Sequence, residues 1–142
     1  MKKYDVVIAG AGPAGLTVAE IAGGHGLQVL LVDMKKDIDR VFRSCCCNLI
    51  IEPGTHGEAV SYENGAIHFE NNKFSVPYAG SVIPLKNSFK VSPAGNTVRI
   101  RGKSPEGCVA VSYEKEALLQ GLLARVRQQN NIDIMTGVQA LG

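Results

Sequence analysis

The chain opens with apolar residues at strand spacing and then changes to helix spacing. Tyr4 to Ala9 is an apolar run of strand length rich in β-branched residues. It leads into GAGPAG, with Gly10, Gly12 and Gly15 spaced as G-x-G-x-x-G. Pro13 suits the first turn of a helix, where its missing N–H would be unpaired anyway. That helix continues through AGLTVAEIA, with Leu16, Ala19, Ile21 and Ala22 as the expected buried positions, and GGHG at 23–26 ends it. Gln28 to Val32 is a second apolar strand, followed at once by Asp33, about 20 residues past the glycines. Residues 4–33 therefore read as a βαβ unit.

From Met34 the pattern turns to loop and then to short β-like segments. Asn64-Gly65 separates two strand-forming runs, the signal of a tight hairpin. FSVPY, VIPLK, SFKVS and TVRIRG follow, so about 58–101 reads as a small β-rich insertion, with Pro77 and Pro84 favouring edge strands or bends. Regular alternation returns over 108–136. Cys108 to Ser112 is a strand, Glu114 to Gln128 an amphipathic helix presenting Leu118, Leu119, Leu122, Leu123 and Val126, and Ile132 to Met135 a further strand. Gly121 weakens this helix by about 1 kcal/mol relative to Ala, and Arg125 and Arg127 suit its C-terminal dipole. The fold class is α/β, an incomplete Rossmann-like dinucleotide-binding fold with a β-rich insertion.

Each residue of the first unit has a physical task in dinucleotide binding. Gly10 permits the tight turn, Gly12 lets backbone approach a pyrophosphate, Gly15 lets helix pack on strand, and the helix start around Pro13 and Ala14 offers unpaired N–H groups. Asp33 would accept from sugar hydroxyls and would repel a 2′-phosphate, which argues against NADP. The glycine spacing alone could be a turn that binds nothing; strand, helix, second strand and acid in register favour a nucleotide. An NAD domain should continue in short alternating strands and helices, and this chain does not. An NAD-binding dehydrogenase domain and a noncatalytic nucleotide-binding or interaction fragment remain the alternatives.

Composition narrows the class further. At 142 residues with 45% hydrophobic and 20% charged, the chain can bury a core within one domain. Its net charge of +2 is mixed along the sequence, so no nucleic-acid face is implied. The apolar start is interrupted by Gly10 and Gly12 before signal-peptide or transmembrane length, which points to the cytoplasm and to thiols rather than disulfides.

Taken together, YDVVIAGAGPAGLTVAE, VLLVD, SPAGNTVRI, VSYEKEALLQGLLARV and IDIMTGV resemble the N-terminal part of FAD-dependent oxidoreductases of the geranylgeranyl-reductase-like and electron-transfer-flavoprotein-dehydrogenase-like group, related to aromatic-ring hydroxylases. The resemblance implies FAD as cofactor. It matches Gly10, Gly12 and Gly15 to the pyrophosphate loop, Asp33 to the ribose acid that is usually Glu, and Arg43 to an arginine near the ribityl and phosphate region. It also implies hydride or electron transfer through the isoalloxazine ring in the complete protein. The group's later Gly-Asp motif is not in these residues, so this stretch is expected to recognise only the ADP portion of FAD, weakly, and to be inactive alone, with no catalytic residue assigned. Self-association, or a partner chain completing the FAD domain, is expected.

FRSCCCNLI, residues 42–50, places Cys45, Cys46 and Cys47 side by side. Contiguous cysteines suit neither a zinc site, which wants separated ligand pairs, nor a bond between neighbours. No metal is expected. The resemblance places a Cys-Gly-rich loop there beside the flavin and substrate cavity, making Cys46 and Cys47 candidates to line it; small buried loop residues are the alternative. Nothing brings His25, His56 and His68 together. Lys35 and Lys36 read as a solvated turn, and Glu114 as a helix-start acid.

Overall fold

A computed structural model of the protein describes residues 2–50, 58–101 and 108–141. The chain divides into two compact units, one built from the residues up to Phe42 with those from Glu116 onward, the other from Arg43–Lys115.

The first unit holds β1 (Val6–Ala9), α1 (Pro13–Gly24) and β2 (Val29–Asp33). Strand β1 pairs in parallel with β2, Val6 opposite Val29, as a βαβ crossover requires. Strand β1 begins two residues later than the apolar run suggests, because the N–H groups of Asp5 and Val6 both reach Gln28 O. Helix α1 starts on Pro13, has Gly12 as its N-cap, and ends with His25 as C-cap and Gly26 in a left-handed conformation. Leu16, Ala19 and Gly23 are its buried stripe. Two expected core positions fall elsewhere: Ile21 is 56% exposed and Ala22 half-buried. At about 100° per residue Ile21 lies roughly 140° around the helix from Leu16, outside the stripe.

The second unit is antiparallel throughout its described residues. Strand β3 (Asn48–Ile50) and β7 (Val82–Leu85) flank β10 (Ala110–Tyr113); β4 (Val60–Glu63), β5 (Ala66–Phe69) and β6 (Phe74–Pro77) form a meander; β8 (Asn87–Val91) and β9 (Thr97–Arg101) form a separate hairpin. Asn64 and Gly65 both take left-handed φ, 52° and 72°, in the two-residue turn that joins β4 to β5. Pro77 and Pro84 lie on outer strands, where a missing donor is tolerated. Strand β10 begins at Ala110 rather than Cys108, so Cys108 is buried just ahead of it.

Helix α2 (Lys115–Arg127) carries the chain back into the first unit and buries all five expected residues, Leu118, Leu119, Leu122, Leu123 and Val126. Glu114 precedes it, and its carboxylate accepts from the Ser81 N–H at 3.0 Å and hydroxyl at 2.6 Å instead of capping the helix. Those two donors hold the Glu114 carboxyl below its ordinary value. Arg125 meets Glu20 at 3.1 Å, and the Gln129 and Asn131 side-chain amides donate to Glu20 O and Gly23 O, tying the end of α2 to α1. Strand β11 (Ile132–Thr136) then joins β2 in parallel, giving the order β1-β2-β11.

The glycines of α1 divide by steric demand. A Cβ on Gly15 would sit 1.9 Å from the Gly10 carbonyl oxygen, whereas one on Gly24 would meet nothing within 4 Å. Gly15→Ala should therefore cost about 1–3 kcal/mol from overpacking against backbone, and Gly24→Ala should be neutral or stabilising by up to about 1 kcal/mol. Urea midpoints of the two variants check this; equal midpoints would contradict the close approach.

Candidate functional site

Strand β1 leaves the sheet through Gly10, whose φ of 104° is open to glycine and strained for any side chain. The Gly10 N–H donates to Val32 O at 2.7 Å, holding the turn to the end of β2. The next residue, Ala11, is fully buried, and its N–H donates to Asp33 Oδ2 at 2.6 Å. Asp33 Oδ1 accepts from the Lys35 N–H at 2.7 Å. Thus the acid at the end of β2 clamps the glycine turn on one side and the following bend on the other. With 8% of its surface exposed, Asp33 is held by backbone donors on both oxygens, as a buried carboxylate must be.

The helix start is correspondingly open. Gly12 is extended (φ −78°, ψ −176°) and offers no side-chain cap, the first turn holds no acidic residue, and Cβ positions on Gly10 and Gly12 would face open space. The N–H groups of Ala14 and Gly15 have no intrahelical acceptor, since an α-helix leaves its first donors unpaired. Turn, helix N-terminus and acid therefore form an open backbone surface able to accept a phosphate group, with a carboxylate at its edge. Gly10, Gly12, Pro13, Ala14, Gly15 and Asp33 are brought together there. Arg43 is exposed and belongs to the second unit, as do the three cysteines.

The cysteine segment is organised by a strand that the hydrophobic pattern did not reveal. Strand β3 pairs antiparallel with β10, Asn48 opposite Ser112, and the Tyr113 N–H donates to Cys47 O at 2.9 Å. This register sets the cysteines beside the start of α2, and Lys115 Nζ lies 3.7 Å from Cys45 Sγ. The side-chain amide of Asn48, in the orientation its neighbours require, donates to Cys46 O and Cys47 O at 3.1 and 3.2 Å. Cys45 and Cys46 are exposed and Cys47 is half-buried, with φ at 51°. The Cys47 N–H donates to the Cys45 sulfur and lowers its thiol below the ordinary value, against a smaller opposing effect of burial, and the Lys115 charge adds to the lowering. Burial pushes the Cys47 thiol up, as does its hydrogen bond with Cys45.

Of the remaining candidates, His25 caps α1 and His68 lies on β5 with Nε2 3.3 Å from Glu63 O, while His56 lies outside the described residues. Lys35 departs from a fully solvated turn, since its Nζ donates to Ile38 O at 2.9 Å. Lys115 was missed as a neighbour of the cysteines, and no short-range signal could have supplied it.

Comparison with known proteins agrees with this geometry. Residues 3–50 match the FAD binding domain family. Over 97% of its length the chain is 28% identical to 6-methylpretetramide 4-monooxygenase of Streptomyces rimosus, covering 30% of that protein. It is also 30% identical over 101 residues, 61% of the chain, to digeranylgeranylglycerophospholipid reductase 2 of Methanosphaera stadtmanae, covering 26% of that protein. Its fold matches a geranylgeranyl bacteriochlorophyll reductase-like protein of Thermoplasma acidophilum with a TM-score of 0.64 at 19% identity, over 98% of this chain and 31% of the other. The chain thus spans between about a quarter and a third of the length of these relatives. On these matches the resemblance drawn from the motifs stands: residues 3–50 match the FAD binding domain family, and the chain is similar to part of proteins named as a monooxygenase and as geranylgeranyl-type reductases.

Proposed function

We propose that Gly10, Gly12, Pro13, Ala14 and Gly15 hold the pyrophosphate of FAD, that Asp33 receives the adenosine ribose, and that the complete protein passes hydride or electrons through the isoalloxazine ring. The observation that carries this reading is the clamp of Asp33 on the Ala11 amide, which fixes the acid at the rim of an uncapped helix N-terminus. The residues fit the group: Cβ atoms on Gly10 and Gly12 would point into open space, so backbone can approach a phosphate, and no acid in the first turn opposes its charge. Each Asp33 oxygen has one backbone donor and a second lone pair with which to accept from a sugar hydroxyl. When bound, the flavin would supply the redox chemistry, and these residues position its ADP end.

Arg43 is proposed to approach the ribityl and phosphate region, and Cys46 and Cys47 to line the cavity; each rests on the motif resemblance and on side chains at or near the surface. The proposed location is the cytoplasm, consistent with the absence, among the described residues, of a helix long and apolar enough to cross a membrane. Self-association, or docking of a chain that completes the sheet, is proposed from the outer strands β1 and β11 and from exposed Val7, Val18, Ile21, Met34 and Met135.

Calorimetry tests the cofactor assignment. The chain should bind FAD and ADP-ribose, both weakly, with NADP weaker by on the order of tenfold because its 2′-phosphate meets the Asp33 carboxylate. Asp33→Asn should narrow that preference, since it removes the charge and keeps an acceptor for Ala11. NADP binding tighter than FAD would overturn the role given to Asp33. Sedimentation velocity tests assembly: the weight-average mass should rise with concentration, and a monomer throughout, with no binding of an apolar dye, would contradict the proposed self-association.

A further inference from the structure

Cys45 and Cys47 form a thiol pair for which the nucleotide surface has no use. Adjacent cysteines are only about 3.8 Å apart at Cα, too close for an ordinary disulfide, but two residues separated by one other can reach the usual window of about 4.4–6.8 Å. Features of the loop favour that closure. The backbone and thiol of Cys47 lie close enough to Cys45 to lower its thiol. Cys47 also holds a left-handed φ of 51°, a conformation costly for a residue bearing a Cβ and here fixed by the Tyr113 and Asn48 donors. Lys115 Nζ, 3.7 Å from Cys45 Sγ, supplies a cation.

We propose that Cys45 and Cys47 constitute a thiol–disulfide exchange site whose substrate is a low-molecular-weight disulfide, with Cys45 attacking and Cys47 resolving. The environments assign the roles. Cys45 is exposed and carries the lowered thiol, whereas Cys47 is half-buried and carries the raised one, so external disulfide meets Cys45 first. The Cys45 thiolate attacks one sulfur of RSSR, forming Cys45–S–S–R and releasing RS⁻. Cys47 then gives its proton to water and attacks Cys45 Sγ, expelling the second RS⁻. The two cysteines are oxidised by two electrons, RSSR is reduced to two thiolates, and one proton is released. Cys46 has no part, because neither neighbour can bridge to it without strain.

Oxidised glutathione and the reduced 142-residue chain test this, with intact mass and peptide mapping after acid quench. The expected product has lost two hydrogens, retains no glutathione and is linked between Cys45 and Cys47; Cys46→Ser should behave the same way. Cys47→Ser should stop at a single glutathione adduct on Cys45. Cys45→Ser should slow consumption on the order of tenfold, and Lys115→Met several-fold, because each removes part of the attacking thiolate. A stable glutathione adduct on the unaltered chain, loss of the internal bond in Cys46→Ser, or undiminished exchange in Cys45→Ser would each overturn the proposal.

Discussion

The hydrogen bond from the Ala11 N–H to the Asp33 carboxylate is the contact on which the first unit turns. Asp33 is the buried charged side chain among the described residues, and a carboxylate taken out of water needs donors on both oxygens. The chain supplies them from its backbone, Ala11 on one side and Lys35 on the other. That requirement fixes where β2 must end relative to the turn after β1, and so fixes the start of α1. The Gly10 carbonyl then lies where only hydrogen fits at position 15, and this close packing brings the helix N-terminus down onto the sheet.

The second unit follows a different logic. Its strands are short and antiparallel, and its hairpins are closed by local turn chemistry, with left-handed φ at Asn64 and Gly65 in one and at Gly95 in another. Its chemistry depends on one long-range pairing, β3 on β10, which delivers the cysteine segment to the first residue of α2. Cys45 lies 70 residues from Lys115 in the chain, and the register of three residue pairs decides their contact.

The difference explains what could be read from the sequence. The glycine turn, the Asp33 position, the buried face of α2 and the Asn64-Gly65 hairpin were legible because each depends on residues within a helical turn, a tight turn or one βαβ crossover. Ile21 was misplaced because α1 buries only a narrow stripe of Leu16, Ala19 and Gly23, and a glycine carries no hydropathic signal. Strand β3 was invisible because three residues next to three cysteines show no periodicity. Glu114 was assigned to the helix for its charge, while Ser81, 33 positions earlier, holds its carboxylate. Neither the cation beside Cys45 nor the partner of Glu114 could be seen before the strands were paired.

We propose the backbone donors at the start of α1, with Asp33 beside them, as the nucleotide surface. Amide chemical-shift mapping of the ¹⁵N-labelled chain during titration with FAD tests it most directly. The largest, saturable shifts are expected at Gly12, Ala14, Gly15 and Asp33, with the β4–β6 meander unmoved. Saturable shifts confined to other residues, with the glycine turn unperturbed, would contradict it.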